Sequence, residues 1–174
     1  MLETVRNLLT AQYHAALCTL GHCVEKCPDS SWNAPVARYP FCQVTFHTLF
    51  FLDYYLSQDE PSFLRQSFHL ENASFFKDYE QLEYREPVEL YERGDITKYI
   101  NYCRQKVTDV LAEETESSLS GPTKFPGRNF SRLELHVYNI RHIQHHASHL
   151  SLRVKLDHQI EINWVGSGWS AINS

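Results

Sequence analysis

The chain has 174 residues, 43% of them hydrophobic and 21% charged, and a formal net charge of −5 at pH 7. That balance suits one globular domain with a core of its own and excludes disordered and collagen-like chains. The negative charge, with Lys and Arg scattered rather than in runs, argues against a nucleic-acid partner.

The opening Met-Leu-Glu-Thr-Val-Arg lacks the basic-then-apolar pattern of a secretory signal. No apolar run reaches the roughly 18 residues of a membrane span. The nearest, Phe46 to Leu56, is interrupted by His47, Thr48 and Asp53. A soluble, cytoplasmic protein with no membrane partner is expected, and its five cysteines (Cys18, Cys23, Cys27, Cys42 and Cys103) are expected to be free thiols.

Apolar residues at Leu2, Val5, Leu8, Leu9, Tyr13, Ala16, Leu17 and Leu20 recur at helical spacing and predict a first helix from Leu2 to about Lys26. Cys27-Pro28-Asp29-Ser30-Ser31 ends it, and a linker to Tyr39 follows. Pro40 suits a helix start, so Phe41 to Ser57 reads as a second, strongly aromatic helix buried nearly all round. Gln58 to Arg93, with Pro61, Pro87 and many aromatics, reads as a long connection of short helical pieces packed on the rest.

Asp95 can cap a third helix running to Thr115, with Ile96, Tyr99, Ile100, Cys103, Val107, Val110 and Leu111 in helical period. Ser117 to Asn129 contains Ser-Gly-Pro and Pro-Gly and reads as loop. Ser131-Arg132-Leu133-Glu134 reads as a capping box opening a fourth helix to about Leu156, with an irregular tail over 157–174. The expected fold is all-α: one domain over 1–174, a four-helix bundle with a long connection between its second and third helices.

Ten histidines are present, five of them between His136 and His149. On a helix, residues four apart lie about 40° apart on one face and one turn along the axis. His142 and His146 therefore converge, and His-x3-His on a helix is half of many metal sites. Two rings supply only part of a shell. His47, mid-helix among Val44, Phe46, Phe50, Phe51 and Tyr54, is the natural third donor, because a buried imidazole without a partner is costly. His145 and His149 are also four apart, and spacing alone does not choose between the pairs. His14, His22, His69 and His158 read as surface or hydrogen-bonded residues. Asp53 and the Glu113-Glu114 pair read as solvated charges on helix surfaces. The cysteine spacing lacks the second pair that a zinc knuckle needs.

Two segments carry a resemblance to a known family. Phe41-Cys42-Gln43-Val44-Thr45-Phe46-His47-Thr48-Leu49-Phe50-Phe51-Leu52-Asp53 is similar to the second-helix motif of the DinB/YfiT-like superfamily of metal-binding four-helix bundles, whose single histidine falls on His47. Asn139-Ile140-Arg141-His142-Ile143-Gln144-His145-His146-Ala147-Ser148-His149-Leu150 is similar to its final-helix motif. The resemblance implies His142 and His146 as ligands, with His149 where relatives commonly carry Gln. It also implies one divalent ion per chain, zinc or nickel, commonly in a homodimer. Characterised relatives activate low-molecular-weight thiols as nucleophiles.

Two functions follow as expectations. One is a metal-dependent transferase joining a small-molecule thiol to an electrophile, with a pocket at Phe50, Tyr54 and Tyr138 and with His149 or His145 as base. The other is a metal-binding stress or interaction protein without turnover. Metal-dependent hydrolysis is a third option, for which no acid/base carboxylate can be placed.

Overall fold

A computed structural model describes residues 1–80 and 89–169. Pro87 of the connection and residues 170–174 of the tail lie outside the described residues. In chain order the elements are α1 (Leu2–Lys26), α2 (Asp29–Trp32), β1 (Pro35–Val36), β2 (Tyr39–Pro40), α3 (Phe41–Leu56), α4 (Glu60–Leu64), α5 (Ser67–Glu71), α6 (Ala73–Glu80), α7 (Arg93–Glu113), α8 (Glu116–Ser120) and α9 (Arg132–His158). The chain is mostly helical, and among the described residues no helix is long and apolar enough to cross a membrane.

Four long helices pack pairwise, α1 and α3 each lying against both α7 and α9. Cross-contacts give their directions. Arg93 reaches the Val24 carbonyl and His14 lies 3.3 Å from the Arg104 carbonyl, so α1 and α7 are antiparallel. Tyr13 meets His136 and Cys23 meets the Ala147 carbonyl, so α1 and α9 are parallel. Asn139 donates to the Leu52 carbonyl, whereas Arg132 reaches the Tyr55 carbonyl, so α3 and α9 are antiparallel. Phe46 packs on Tyr99 and the Lys106 ammonium donates to the Asp53 carbonyl, so α3 and α7 are parallel. Parallel neighbours cannot be joined by a tight turn, because the chain must return along the helix length before pairing again. The segment between α3 and α7 makes that return, and its aromatics fill the space it crosses. Phe63 and Phe76 are fully buried, and Tyr91 stacks on Phe46 at 4.0 Å.

Several local expectations are corrected. The third helix starts at Arg93, before Asp95, and ends at Glu113. Thr115 caps a new helix instead, exchanging bonds with Ser118 in a capping box, so α8 occupies the start of the expected Ser117–Asn129 loop. The linker after α1 holds α2 and a two-residue hairpin, with Val36 opposite Tyr39 and Ala37 at φ 74°. The tail folds back on α1: the Gly168 amide donates to the Ala11 carbonyl, and Trp169 lies under the Arg104 guanidinium. The five cysteines are free and buried.

The larger correction concerns Asp53 and Glu114, which are not solvated. Asp53 is fully buried and accepts from Lys106, from the Tyr99 hydroxyl at 2.8 Å and from the Gln66 amide at 2.9 Å, with His69 at 3.4 Å. Burial alone would raise its pKa, but Lys106 and His69 outweigh that and hold the carboxyl below its ordinary value. Glu114 is buried between Arg132 at 2.8 Å and His136 at 3.2 Å, and Ser118 donates to its second oxygen. His136 in turn meets the Tyr13 hydroxyl at 3.0 Å. Arg132 also donates to the carbonyls of Tyr55, Leu56 and Ser57, closing the open end of α3. These two networks bind all four long helices at one end of the molecule.

Candidate metal centre

The antiparallel pairing of α3 with α9 sets His47 opposite the His142–His146 turn. One ring nitrogen from each of the three lies within 4.8 Å of the other two, and among the described residues no other group of three His, Cys, Asp or Glu side chains converges so. Ring centroids are 5.4 Å apart for His47 and His142, 5.0 Å for His47 and His146, and 4.6 Å for His142 and His146. Small ring rotations would bring such nitrogens to the roughly 3.4 Å expected between two donors on one tetrahedral ion with bonds of about 2.1 Å.

The surroundings keep the rings neutral. All three are partly buried. Burial pushes the His47 pKa down to about 4; burial, then the neighbouring imidazoles, take His142 to about 2 and His146 to about 3. Neutral imidazole is the form that ligates. The His142 Nδ1 atom is buried and has no hydrogen-bond partner among the described residues, whereas buried polar atoms are ordinarily paired. Three neutral nitrogens from two helices, one without a partner, fit a borderline-soft divalent cation and leave a coordination position for another ligand.

The other expected site residues fall in different places. His145 and His149 are exposed on α9 with rings 4.2 Å apart, and His145 lies 5.2 Å from His146. Tyr138 does line an open groove of about 450 Å³ beside His142, together with Arg141, Gln144, His145 and Ser148. Phe50 does not face the triad. It is fully buried against Phe63 and near His69, three residues on from His47, while Phe51, four on, packs against His47 at 4.9 Å and His142 at 5.8 Å. Tyr54 is buried next to Phe51 and Phe125, its hydroxyl donating to Glu60 at 3.0 Å.

Sequence reasoning missed Arg128. It sits after Gly127, whose φ of 71° turns the loop back so that the Arg128 amide donates to the Phe125 carbonyl. Phe125 is buried against Tyr54 and Tyr55 and anchors that turn. The Arg128 guanidinium lies 4.8 Å over the Tyr138 ring and donates to the hydroxyls of Tyr55 and Tyr138, both at 3.1 Å. Its charge adds to the effects that disfavour protonation of His142. An Arg before an aromatic and a helix cap carries no local pattern by which to find it. Comparison with protein-family models, with characterised proteins and with solved structures gives no significant match, so the triad and its surroundings carry the functional reading by themselves.

Proposed function

We propose that the chain is a four-helix bundle of the DinB-like kind that binds one divalent metal ion, zinc or nickel, through His47, His142 and His146. The observation that carries this reading is the convergence of three neutral imidazoles around a buried His142 Nδ1 that has no partner among the described residues. The reaction class it supports best is transfer of a low-molecular-weight thiol to an electrophile, in a cytoplasmic protein that acts as a homodimer. A bound cation would supply Lewis acidity and lower the pKa of a thiol or water at the open position.

The chain's own groups would do the rest. Phe51 packs against His47 on one helix and His142 on the other. The groove from Tyr138 to Ser148 is open to an incoming molecule. The sulfur bonds to the electrophilic carbon as the leaving group departs, and the thiol proton passes to the exposed ring of His145 or His149. Hydrolysis is less well supported, because the buried carboxylates Asp53 and Glu114 are engaged in ion pairs with Lys106 and Arg132. A metal-binding protein without turnover shares the same site and differs only in giving no conjugation with any thiol and electrophile pair.

Elemental analysis of protein purified without a metal-affinity tag tests the site. One equivalent of zinc or nickel per chain is expected, and His142→Ala should lose both the metal and any thiol conjugation. Conjugation retained by a metal-free His142→Ala variant would sink the transferase reading, and a wild-type chain that takes up no metal would sink the site.

A further inference from the structure

Helix α9 carries two histidine pairs spaced four residues apart, and only one of them belongs to the triad. His145 and His149 are both exposed, with ring centroids 4.2 Å apart and planes at 65°. They stand closer than any two rings of the triad, whose centroids are 4.6, 5.0 and 5.4 Å apart. Neither makes a hydrogen bond or ion pair among the described residues. Side chains one helical turn apart point the same way, so two imidazole nitrogens can close on one ion without moving the backbone. Two protein nitrogens leave the rest of the coordination shell to water. Such a site holds an ion more weakly than three converging nitrogens and releases it faster, because fewer bonds must break.

The pair is also placed where an ion bound for the triad must pass. The triad rings are partly buried, whereas His145 and His149 face solvent. The His145 ring lies 5.2 Å and the His149 ring 6.3 Å from that of His146. His145 lines the open groove whose wall includes His142, so one groove carries a member of each pair. Stripping a divalent ion of all its water at once is costly. Exchange of some waters for the outer nitrogens, followed by exchange of these for the inner ones, divides that cost between two steps.

We infer that His145 and His149 form a second, outer metal site, which captures the hydrated divalent ion and passes it along the groove to the triad. The outer site stands on its own geometry; the hand-off rests on the reading of His47, His142 and His146 as ligands. Imidazole pairs suit nickel and zinc alike. Because the outer site is the weaker, it empties once free metal is scarce, and its rings are then available to a proton during turnover.

The test uses zinc alone, titrated into the full chain after its metal has been removed, with binding heat and the histidine ring resonances in NMR as readouts. Two equivalents are expected. The first should move His47, His142 and His146, and the second, at least about tenfold weaker, should move His145 and His149. His149→Gln should remove the second equivalent and leave the zinc affinity of the first unchanged. In stopped-flow mixing, the same substitution should slow filling of the triad severalfold. His47→Ala combined with His142→Ala should keep the weaker equivalent alone, and adding His149→Gln should remove that as well. A triad that stays empty while His145 and His149 respond to zinc would sink the triad and the hand-off and leave the outer site standing. His145 and His149 unmoved by zinc, or a second equivalent that survives His149→Gln, would overturn the outer site. Filling of the triad at wild-type speed in His149→Gln would overturn the hand-off. His149 is exposed, so the variant on which these outcomes turn removes nothing from the core.

Discussion

The Asp53 network and the histidine triad are both built on α3, and they treat polar groups in opposite ways. Around Asp53 every charge meets its complement: one carboxylate, one ammonium, a tyrosine hydroxyl and a glutamine amide are mutually bonded in the interior. At the triad three like bases are gathered and, among the described residues, no carboxylate joins them and His142 Nδ1 has no partner. Burial alone does not distinguish structure from function, since Asp53 is more buried than any of the three histidines. Complementarity does: a satisfied network ties helices together, and a convergent set of like donors awaits something from outside.

The comparison breaks most sharply at its paired end. Asp53→Ala would leave Lys106 buried without its counter-charge, together with the Tyr99 hydroxyl and Gln66 amide, and should cost about 3–5 kcal/mol in urea unfolding. His142→Leu removes a group with no partner at Nδ1 and should change the stability of metal-free protein by less than about 1 kcal/mol in either direction. If both substitutions cost the same, the distinction between the regions fails. Zinc should narrow the difference between the two substitutions. At a free concentration of 100 Kd it should stabilise the wild type by about 2.7 kcal/mol and His142→Leu not at all. Thermal unfolding with and without zinc reads both values.

How far the sequence shows these regions depends on whether their determinants are local. The long helices are legible because apolar periodicity is a local property, and the triad's candidates are legible because His142 and His146 stand one turn apart. Asp53 looks solvated in the sequence because its partners come from elsewhere: Gln66 and His69 from the connection, Tyr99 and Lys106 from α7. A signal was available, since Asp53 is the one charged residue, His47 aside, in the Phe41–Leu56 helix. Glu114 had one too. Val107, Leu111 and Glu114 continue the buried stripe of α7 at i, i+4 and i+7, whereas Glu113 is exposed. Arg128 had none, because its place depends on how Phe125 docks between α3 and the loop. The Phe50 pocket assignment failed for a geometric reason: positions three and four beyond His47 flank it on opposite sides, and only contacts across to α9 show which side faces the triad.

The pH response should separate the regions as well. Burial by itself would raise the Glu114 pKa, but bonds from His136, Ser118 and Arg132 outweigh it and bring the carboxyl from 4.5 to about 2. A carboxyl more acidic folded than unfolded stabilises the fold fully above its ordinary value. That contribution is then lost as pH falls from 4.5 toward 2, because the unfolded chain binds the proton first. Unfolding free energy measured against pH should decline over that window in the wild type and more shallowly in Glu114→Gln. Equal slopes would mean that the Arg132 and His136 contacts do not hold Glu114 ionised.

The smallest effect tests whether the paired end and the triad are independent. Thr115 accepts from the Ser118 amide, and the Ser118 hydroxyl both accepts from the Thr115 amide and donates to Glu114. Removing the cap with Thr115→Ala should cost about 1 kcal/mol and loosen the support that α8 gives to Glu114. The triad shares no residue with that cap, and the two are linked only through α9, whose start is fixed separately by Ser131 accepting from the Glu134 amide. Zinc affinity should therefore be unchanged in Thr115→Ala within the error of a competition assay. Distant sites without shared partners behave additively. A clear loss of zinc affinity in Thr115→Ala would show instead that the ionic network sets the position of α9 against α3, and with it the spacing of His47 from His142 and His146.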